Sequence, residues 1–384
     1  MKTQICLVSQ QAAANLLPAL DESLKPDKIV LVVTGKMRRQ ADNLHDVLKQ
    51  CAIKVDTFYL TNEQDYYQTA QDLINLAASI EDDDVTLNIT GGTKLISVAA
   101  QSVADASGWK MFYVDADSDK IIWLGREQKP PQSLQQKLRL RHYLMSYGFK
   151  LSAEQQRKQA TIQQVELTQT LVQQAGSLQD SISLLNALTQ EAENKGKLSI
   201  TLTDKHLDSR SLDVLLRNFE KAGALHLEKN IIRFSDVDAR NFVKGGWLEL
   251  HAINAVHQVH KDIGIQDKAI GLEIEEISSG TRNELDIAFM AMNRLFVIEC
   301  KTARIDKIQF KDDKLIPPKA NDTLFKLAEN CRRIGGLGAR GLLLSYRKLG
   351  SAEIRLANSL GIHVVHGTEI ARLPEKLKAW VKPQ

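Results

Sequence analysis

Aromatic residues are scarce in this 384-residue chain, at 5%, and it has only four cysteines and eight prolines. Cys6, Cys51, Cys300 and Cys331 form no CxxC pair and no metal-ligand cluster. They read as isolated thiols in a reducing compartment, which points to the cytoplasm. No apolar run approaches the ~20 residues needed to cross a bilayer. The opening MKTQICLVSQQ has too short an apolar stretch for a signal peptide, so no membrane association is expected. A net charge of only +3 excludes a histone-like basic protein and a strongly acidic tail protein. Nucleic-acid binding stays open, because local patches matter more than the sum. What is present is ordinary for a globular protein, 43% hydrophobic and 25% charged residues. At ~150 residues per domain the length allows two or three domains.

Short apolar runs at 3–8, 29–34, 53–60 and 85–90 alternate with helical patterns, the last two helices near 63–80 and 93–107. Near-continuous apolar strands separated by helices predict a parallel sheet covered on both faces. Residues 110–114 and 121–124 add a candidate edge hairpin, and Pro130-Pro131 ends the pattern. The stretch 137–158 sets Lys137, Arg139, Arg141, Lys150, Arg157 and Lys158 against Glu154 alone. It reads either as a solvated helix face or as a nucleic-acid track. Residues 160–175 form a Gln-rich linker helix. Residues 178–234 follow the outline helix, helix, hairpin of a winged helix, with a C-cap at Gly223 and a turn at Lys229-Asn230. Arg210, Arg217 and Lys221 are its candidate phosphate contacts, although such units also serve as spacers. Residues 241–384 predict a further α/β core: a helix in GGWLELHAINAVHQVH, strands in EIEEIS, ELDIAFMA and RLFVIECK, a helix near 321–334, a strand at 342–346 and a strand–helix pair at 362–380.

Chemistry concentrates in that last core. In RLFVIECK, Glu299 and Lys301 share one face of a strand. In NELDIAFM, Glu284 and Asp286 share a face, with Leu285, Ile287 and Phe289 on the other. A turn at 291–294 would make the strands antiparallel neighbours and bring Asp286 close to Glu299 and Lys301. Clustered carboxylates stay ionised most readily around a divalent cation, and oxygen ligands favour Mg²⁺ or Mn²⁺. An acid two residues before a lysine occurs four times, at Glu127/Lys129, Glu193/Lys195, Glu299/Lys301 and Asp312/Lys314. Only Glu299/Lys301 ends an apolar run, so the choice there lies between a strand-end ion pair and a metal site. Glu249 falls within the apolar arc of its helix, at ~100° per residue, and needs a partner. His257 and His260 lie i,i+3 on that helix without a third ligand and read as solvated.

GxWLE on a helix, then NELD, then IECK, resembles the PD-(D/E)xK nuclease superfamily, and within it the nuclease domain of CRISPR ancillary nucleases of the Card and Can type. The resemblance implies Glu249, Asp286 and Glu299 as metal ligands for Mn²⁺ or Mg²⁺ and Lys301 as the catalytic lysine. Leu285 stands where the superfamily's name has proline. Lys326 on the following helix is a further charge near such a site, and Lys307, Lys311, Lys314 and Lys319 beside it are candidates to follow a nucleic-acid backbone.

In the first third, VTLNITGGTKLISVAAQ places Thr90, Gly91, Gly92, Thr93 and Lys94 between a strand and a helix. Paired glycines, a hydroxyl, an ammonium and a helix N-terminus suit an anion, with phosphate the natural guest. A tight turn without a ligand is the other reading. The P-loop spacing is missing, and the GxGxxG string from Gly336 to Gly341 follows a helix and precedes a strand, the reverse of a dinucleotide fingerprint. The NxTGGTK segment resembles the CRISPR-associated Rossmann-fold (CARF) sensor. That resemblance implies a homodimer holding a cyclic oligoadenylate, with Gly91, Gly92, Thr93 and Lys94 in one ligand motif, Ser9 and Gln10 in the loop after the first strand, and Thr34 and Gly35 after the second.

The expected architecture is therefore α/β throughout: a Rossmann-like sensor at 1–135, linker helices and a winged-helix-like unit at 136–240, and a restriction-endonuclease-like domain at 241–384. The expected function is a metal-dependent endonuclease of type III CRISPR defence, activated by a cyclic oligoadenylate such as cyclic tetra-adenylate. Its substrate would be single-stranded DNA, RNA or both, or supercoiled DNA that it nicks. The alternative is a ligand-responsive winged-helix transcription regulator without nuclease activity.

Overall fold

The computed structural model describes residues 1–384 other than 83, 117, 126–128, 153–158, 304–308, 312–313, 317–318 and 383–384, and gives 309–311, 314–316 and 319 by their backbone alone. The first unit is built from β1 (Lys2–Leu7), α1 (Ala13–Leu20), β2 (Lys28–Val33), α2 (Arg38–Gln50), β3 (Lys54–Tyr59), α3 (Tyr66–Ala78), β4 (Asp84–Asn88), α4 (Lys94–Ala106), β5 (Lys110–Asp115), β6 (Lys120–Leu124) and β7 (Gln132–Ser133). The strand order is β3-β2-β1-β4-β5-β6-β7, with β3 to β5 parallel and β6 and β7 antiparallel. Apolar side chains on both faces of β1, β2 and β4 explain the arrangement. One face packs with Leu73, Leu76, Ile96 and Val103 of α3 and α4, the other with Leu16, Leu44 and Leu48 of α1 and α2. The chain order reverses between β1 and β4, which opens a crevice at their carboxyl ends.

A connecting segment, α5 (Leu140–Ser146), β8 (Phe149–Leu151) and α6 (Ile162–Gln173), leads to α7 (Gln179–Asn194), β9 (Ser199–Thr201), α8 (Asp204–Leu207), α9 (Arg210–Lys221), β10 (His226–Glu228) and β11 (Ile231–Arg233). The last six elements have the winged-helix order, and β9 completes a three-stranded β10-β11-β9 sheet beyond the expected hairpin. Arg217 pairs with Asp213 at 2.9 Å and Arg233 with Glu228 at 2.6 Å, so acidic neighbours answer two of its cations.

The last unit comprises α10 (Val237–Asn241), α11 (Trp247–Gln258), β12 (Ile265–Glu276), β13 (Arg282–Ala291), β14 (Arg294–Lys301), β15 (Gln309–Lys311), β16 (Lys314–Ile316), α12 (Lys319–Gly335), β17 (Ala339–Ser345), α13 (Ser351–Ser359), β18 (Ile362–His366) and α14 (Leu373–Val381). Its six-stranded sheet runs β18-β17-β14-β13-β12-β8. The edge strand β8 comes from the segment ahead of the winged unit, a swap that local pattern does not disclose. Phe289 and Phe296 face each other across β13 and β14 and stack at 5.1 Å, with Trp380 edge-on to both. Lys307, Glu127, Asp312, Glu154, Arg157 and Lys158 lie outside the described residues, as do the side chains of Lys311, Lys314 and Lys319. The described cations of the basic stretch, Lys137, Arg139, Arg141 and Lys150, are exposed, and three of them have acidic neighbours. Lys150 meets Glu275 at 2.8 Å, Arg139 comes within 4.0 Å of Asp267, and Lys137 lies in the field of Asp119. No helix among the described residues is long and apolar enough to cross a membrane.

The first and last units meet at a turn. Met292 and Asn293, both left-handed with φ of 50° and 52°, join β13 to β14. The buried Asn293 side chain accepts from the Leu138 N–H (2.8 Å) and Gln266 Nε2 (2.9 Å), and donates to Asp119 Oδ2 (2.9 Å) and the Gln136 carbonyl (3.2 Å). Removing it strands several buried groups and puts a Cβ-bearing residue without a compensating amide at positive φ. Asn293→Ala should lower the unfolding free energy by about 3 kcal/mol, and Asn293→Gly by about 1 kcal/mol less because glycine tolerates the backbone. Denaturant titration checks both; an unchanged midpoint for Asn293→Ala would show that this turn contributes nothing to the junction.

Candidate active site and ligand-binding loops

In the last sheet the β13–β14 backbone ladder runs from Ala291/Arg294 to Ile287/Ile298 and stops. The next N–H of β14, that of Cys300, donates to Asp286 Oδ2 at 2.7 Å. Beside it Lys301 Nζ lies 2.5 Å from Glu299 Oε1. Asp286 thus comes within the field of Glu299 and Lys301, as antiparallel pairing of the two strands would bring it. The alternation itself breaks at Asp286. Leu285 packs in the α12-side cluster with Ala288 and Met290, whereas Ile287 and Phe289 pack on the α11 side. The partner strand shows why. Gly271, opposite Asp286, has φ of 58° and drops out of the β12–β13 register, so the paired strands kink there.

Glu249 sits half-buried in the first turn of α11, among the buried Trp247, Leu248, Ala252 and Val256. This helix packs on the sheet face opposite that bearing Leu295 and Val297, the face of Glu299 and Lys301. Desolvation, together with the charges of Glu299 and Glu249, pushes the Asp286 carboxyl up to about 8, against the opposing pull of Lys301 and the Cys300 N–H. Burial works against the Lys301 ammonium, but Glu299 and Asp286 outweigh it and hold the group above its ordinary value. The Cys300 thiol, desolvated and surrounded by the same three carboxylates, is held well above its usual range and stays protonated. Among the described residues no three His, Cys, Asp or Glu side chains close to metal-binding distance. The physical reason is visible at two of them: Glu299 is turned onto Lys301 and Asp286 onto the Cys300 amide. The donor set, hard carboxylate oxygens in negative excess, fits a divalent cation. His257 and His260 are solvent-exposed, as expected of solvated histidines. Lys326 is exposed on α12.

In the first sheet the three anticipated loops leave the carboxyl ends of adjacent strands β2, β1 and β4. Gly91 is pressed against β1. A Cβ there would lie 1.9 Å from the Leu7 carbonyl oxygen and 3.4 Å from Ser9 Oγ, so only glycine lets the two loops meet. Gly92 follows with φ of 77°. Thr93 caps α4 by accepting the Ile96 N–H at 3.4 Å, and Lys94 begins the helix, exposed. Gln10 and Gly35 are exposed, Ser9 is half-buried and Thr34 is buried. Two residues without an assigned role in the sequence organise this end. Buried Asn88 donates to the Ala14 carbonyl (2.9 Å) and Asn15 Oδ1 (3.1 Å) and accepts from Thr90, while Asn15 donates to the Leu7 carbonyl at 3.0 Å. The asparagine of NxTGG was the available signal. Glu63, from the loop before α3, accepts the Gly35 N–H at 3.1 Å and gave none. The GxGxxG string does follow α12 and runs into β17, and a Cβ at Gly338 would come within 2.6 Å of Tyr143 Oη, so its glycines serve packing.

Residues 3–143 match the family model of the Card1 CARF domain, and residues 236–383 that of the Card1-like endonuclease domain. This chain joins a Card1 CARF domain to a Card1-like endonuclease domain. It is therefore an endonuclease, and a domain of this kind requires a divalent metal. Among solved structures, protein VC1899 from Vibrio cholerae is 26% identical with a TM-score of 0.86, the match covering 99% of this chain and 98% of that one. Can2 from Sulfobacillus thermosulfidooxidans, solved in complex with cyclic tetra-adenylate, is 22% identical with a TM-score of 0.82 and full coverage of both chains. A type III CRISPR defence DNA nuclease activated by cyclic oligoadenylate is 16% identical, with a TM-score of 0.56 over 91% of this chain and 46% of that one. Comparison with curated proteins gives no match. The endonuclease domain removes the ground for a regulator without nuclease activity, because such a protein has no use for residues 236–383.

The CARF loop geometry yields a direct test. Gly91→Ala should destabilise the protein by about 1–3 kcal/mol or more, because the clash is with backbone that cannot rotate away. Gly35→Ala, with nothing within 4 Å of its added carbon, should change stability by less than about 0.5 kcal/mol. Thermal melts of the two variants make the comparison, and equal melting points would refute the close approach of the β1 and β4 loops.

Proposed function

We propose that this chain is an endonuclease switched on by a cyclic oligoadenylate, cyclic tetra-adenylate foremost, in type III CRISPR antiviral defence. It would act in the cytoplasm as a homodimer, on single-stranded DNA, RNA or both, or by nicking supercoiled DNA. The observation that carries the catalytic half is the cluster of Asp286, Glu299 and Lys301 at the end of two adjacent strands, within the field of Glu249. Glu249, Asp286 and Glu299 are the residues to hold Mg²⁺ or Mn²⁺. Such a cation supplies a site for the scissile phosphate and a lowered pKa for an attacking water. Lys301, kept protonated by its carboxylate neighbours, would leave Glu299 to orient that water or to face the charge that develops on the phosphate oxygens.

For the activator half, Ser9, Gln10, Thr34, Gly35, Gly91, Gly92, Thr93 and Lys94 surround the switch-point crevice. The N-terminus of α4 and the Lys94 ammonium there suit phosphodiester anions. The outer faces of α3 and α4 expose Tyr67, Ile74 and Val98, which favours a second copy across that surface. The similarity in fold to Can2, crystallised with cyclic tetra-adenylate, supports the same ligand class.

Single-stranded DNA, RNA and plasmid, incubated with Mg²⁺ or Mn²⁺ and with or without each cyclic oligoadenylate, test the whole reading. Cleavage should need both metal and activator and vanish with a chelator. Asp286→Ala and Glu299→Ala should lower cutting by at least about 10³-fold, as loss of transition-state charge stabilisation does, yet leave activator affinity unchanged. Lys94→Ala should weaken activator binding about tenfold, the ~1.4 kcal/mol scale of one charge-assisted contact. Asp286→Ala protein that still cuts with Mn²⁺ present would overturn the active-site assignment.

A further inference from the structure

Helix α7 of the winged unit touches the endonuclease domain along one face, at Gln179, Ser183, Asn186 and Glu193, positions spaced four, three and seven apart. At its start, Arg347, which follows β17 and is buried, donates from Nη1 to the Gln179 carbonyl (3.1 Å), Asp180 Oδ1 (3.2 Å) and Ser183 Oγ (2.9 Å). At its end, Glu193 pairs with Lys244 and lies 3.5 Å from Arg240 Nη2. Between them, Asn186 Nδ2 donates to Thr302 Oγ1 at 2.9 Å, and both residues are buried. The Thr302 hydroxyl in turn donates to the Lys244 carbonyl at 3.1 Å.

Those partners connect the two limbs of the site. Thr302 is the residue after Lys301. Lys244 lies in the π-turn Phe242–Gly246 that leads directly into α11 and Glu249. The contact is tight: a Cβ at Gly245 would sit 2.9 Å from Thr302 Oγ1. Glu249 approaches from the opposite face of the sheet, so its position relative to Asp286 and Glu299 is not fixed by strand pairing. The Asn186–Thr302–Lys244 relay is a polar tie between the strand that carries Glu299 and Lys301 and the turn that launches Glu249.

From this geometry we infer that Thr302 is a positioning residue of the endonuclease site and that Asn186 of the winged unit holds it, so that the unit braces the active site. The inference rests on the proposed assignment of Glu249, Asp286 and Glu299. A buried hydroxyl with one donor and one acceptor partner fixes the distance between two backbone segments. Valine has nearly the same shape and makes neither bond. Displacement of Glu249 by about an ångström would weaken cation binding and slow the chemical step while leaving nucleic-acid binding alone.

The test uses the full-length protein with activator. Thr302→Val should raise the Mn²⁺ concentration for half-saturation at least fivefold, read by titration calorimetry without substrate. It should also lower kcat at least tenfold with KM for nucleic acid unchanged. Thr302→Ser, which keeps the hydroxyl, should return both values to within threefold of wild type, and Asn186→Ala should reproduce most of the valine defect. Lys195→Ala, at the exposed end of α7 where the side chain pairs with Glu191, should cut like wild type. Wild-type Mn²⁺ binding and kcat in Thr302→Val, or a defect that serine does not repair, would overturn the inference. If Thr302→Val fails to fold, the serine and Asn186→Ala results still decide. Asp286→Ala separates the two levels: Mn²⁺ binding and cleavage surviving in that variant mean the site assignment itself has failed, whereas their loss beside an unaffected Thr302→Val sinks only the brace.

Discussion

The cost of ionising several carboxylates in one place is the constraint on which the endonuclease domain turns. Desolvation of Asp286 raises that cost most, and the charges of Glu299 and Glu249 add to it. One ammonium and one backbone amide offset part of it. Such a cluster relaxes unless its backbone is stiff. The stiffness comes from apolar packing on both faces: Phe289 against Phe296 and Trp380 on one side, Val297, Leu343 and Leu327 on the other. The kink at Gly271 is part of the same device, since it interrupts pairing where Asp286 must turn its carboxylate toward Cys300.

The two units of known family are not beads on a string. The apolar cluster on one face of the CARF sheet is continuous with the cluster beneath α12, joining Leu16, Leu44 and Phe112 to Tyr143, Leu285 and Leu343. Polar ties follow the same boundary. Glu276 at the end of β12 pairs with Arg39 of α2 at 2.5 Å and with Arg333 of α12. With β8 added to the far sheet from the connecting segment, the chain crosses between units several times, and each crossing restricts how far one can rotate against the other.

Much of this was legible in the sequence because the informative features are local. Strand alternation in RLFVIECK placed Glu299 and Lys301 on one face, the Gly-Gly turn of NITGGTK marked the carboxyl end of β4, and Met292-Asn293 marked a hairpin. What stayed hidden depends on distant partners. The face switch at Asp286 is caused by a glycine fifteen residues earlier on the partner strand, so a period of two in β13 could not disclose it. The acidic neighbours of the basic stretch from Lys137 to Lys150, namely Asp119, Asp267 and Glu275, lie far off in sequence and only the fold brings them near. Asn88 and Asn15 are ordinary polar residues until their carbonyl partners are known. The Asn186–Thr302 pair spans 116 positions and joins two domains, which no motif encodes.

The hairpin that ends at Asn293 also limits how the two functional ends can communicate. Its tip is fastened to Asp119 and the Gln136 carbonyl beside the β5–β6 turn, and its other end carries Asp286 and Glu299. On the CARF side, the Val114 N–H of β5 donates to Thr90 Oγ1 at 2.8 Å, immediately before Gly91. A ligand shifts an equilibrium only by binding two arrangements differently. A shift of the Gly91 loop relative to β5 therefore has to alter the Thr90–Val114 bond, whereas a shift that keeps the bond has to carry β5 along. The hairpin fastened beside the β5–β6 turn has a ladder continuous as far as Ile287 and Ile298 and is packed on both faces. The ligand loop and the carboxylates are thus joined through two strand pairs and the polar contacts of Asn293 between them.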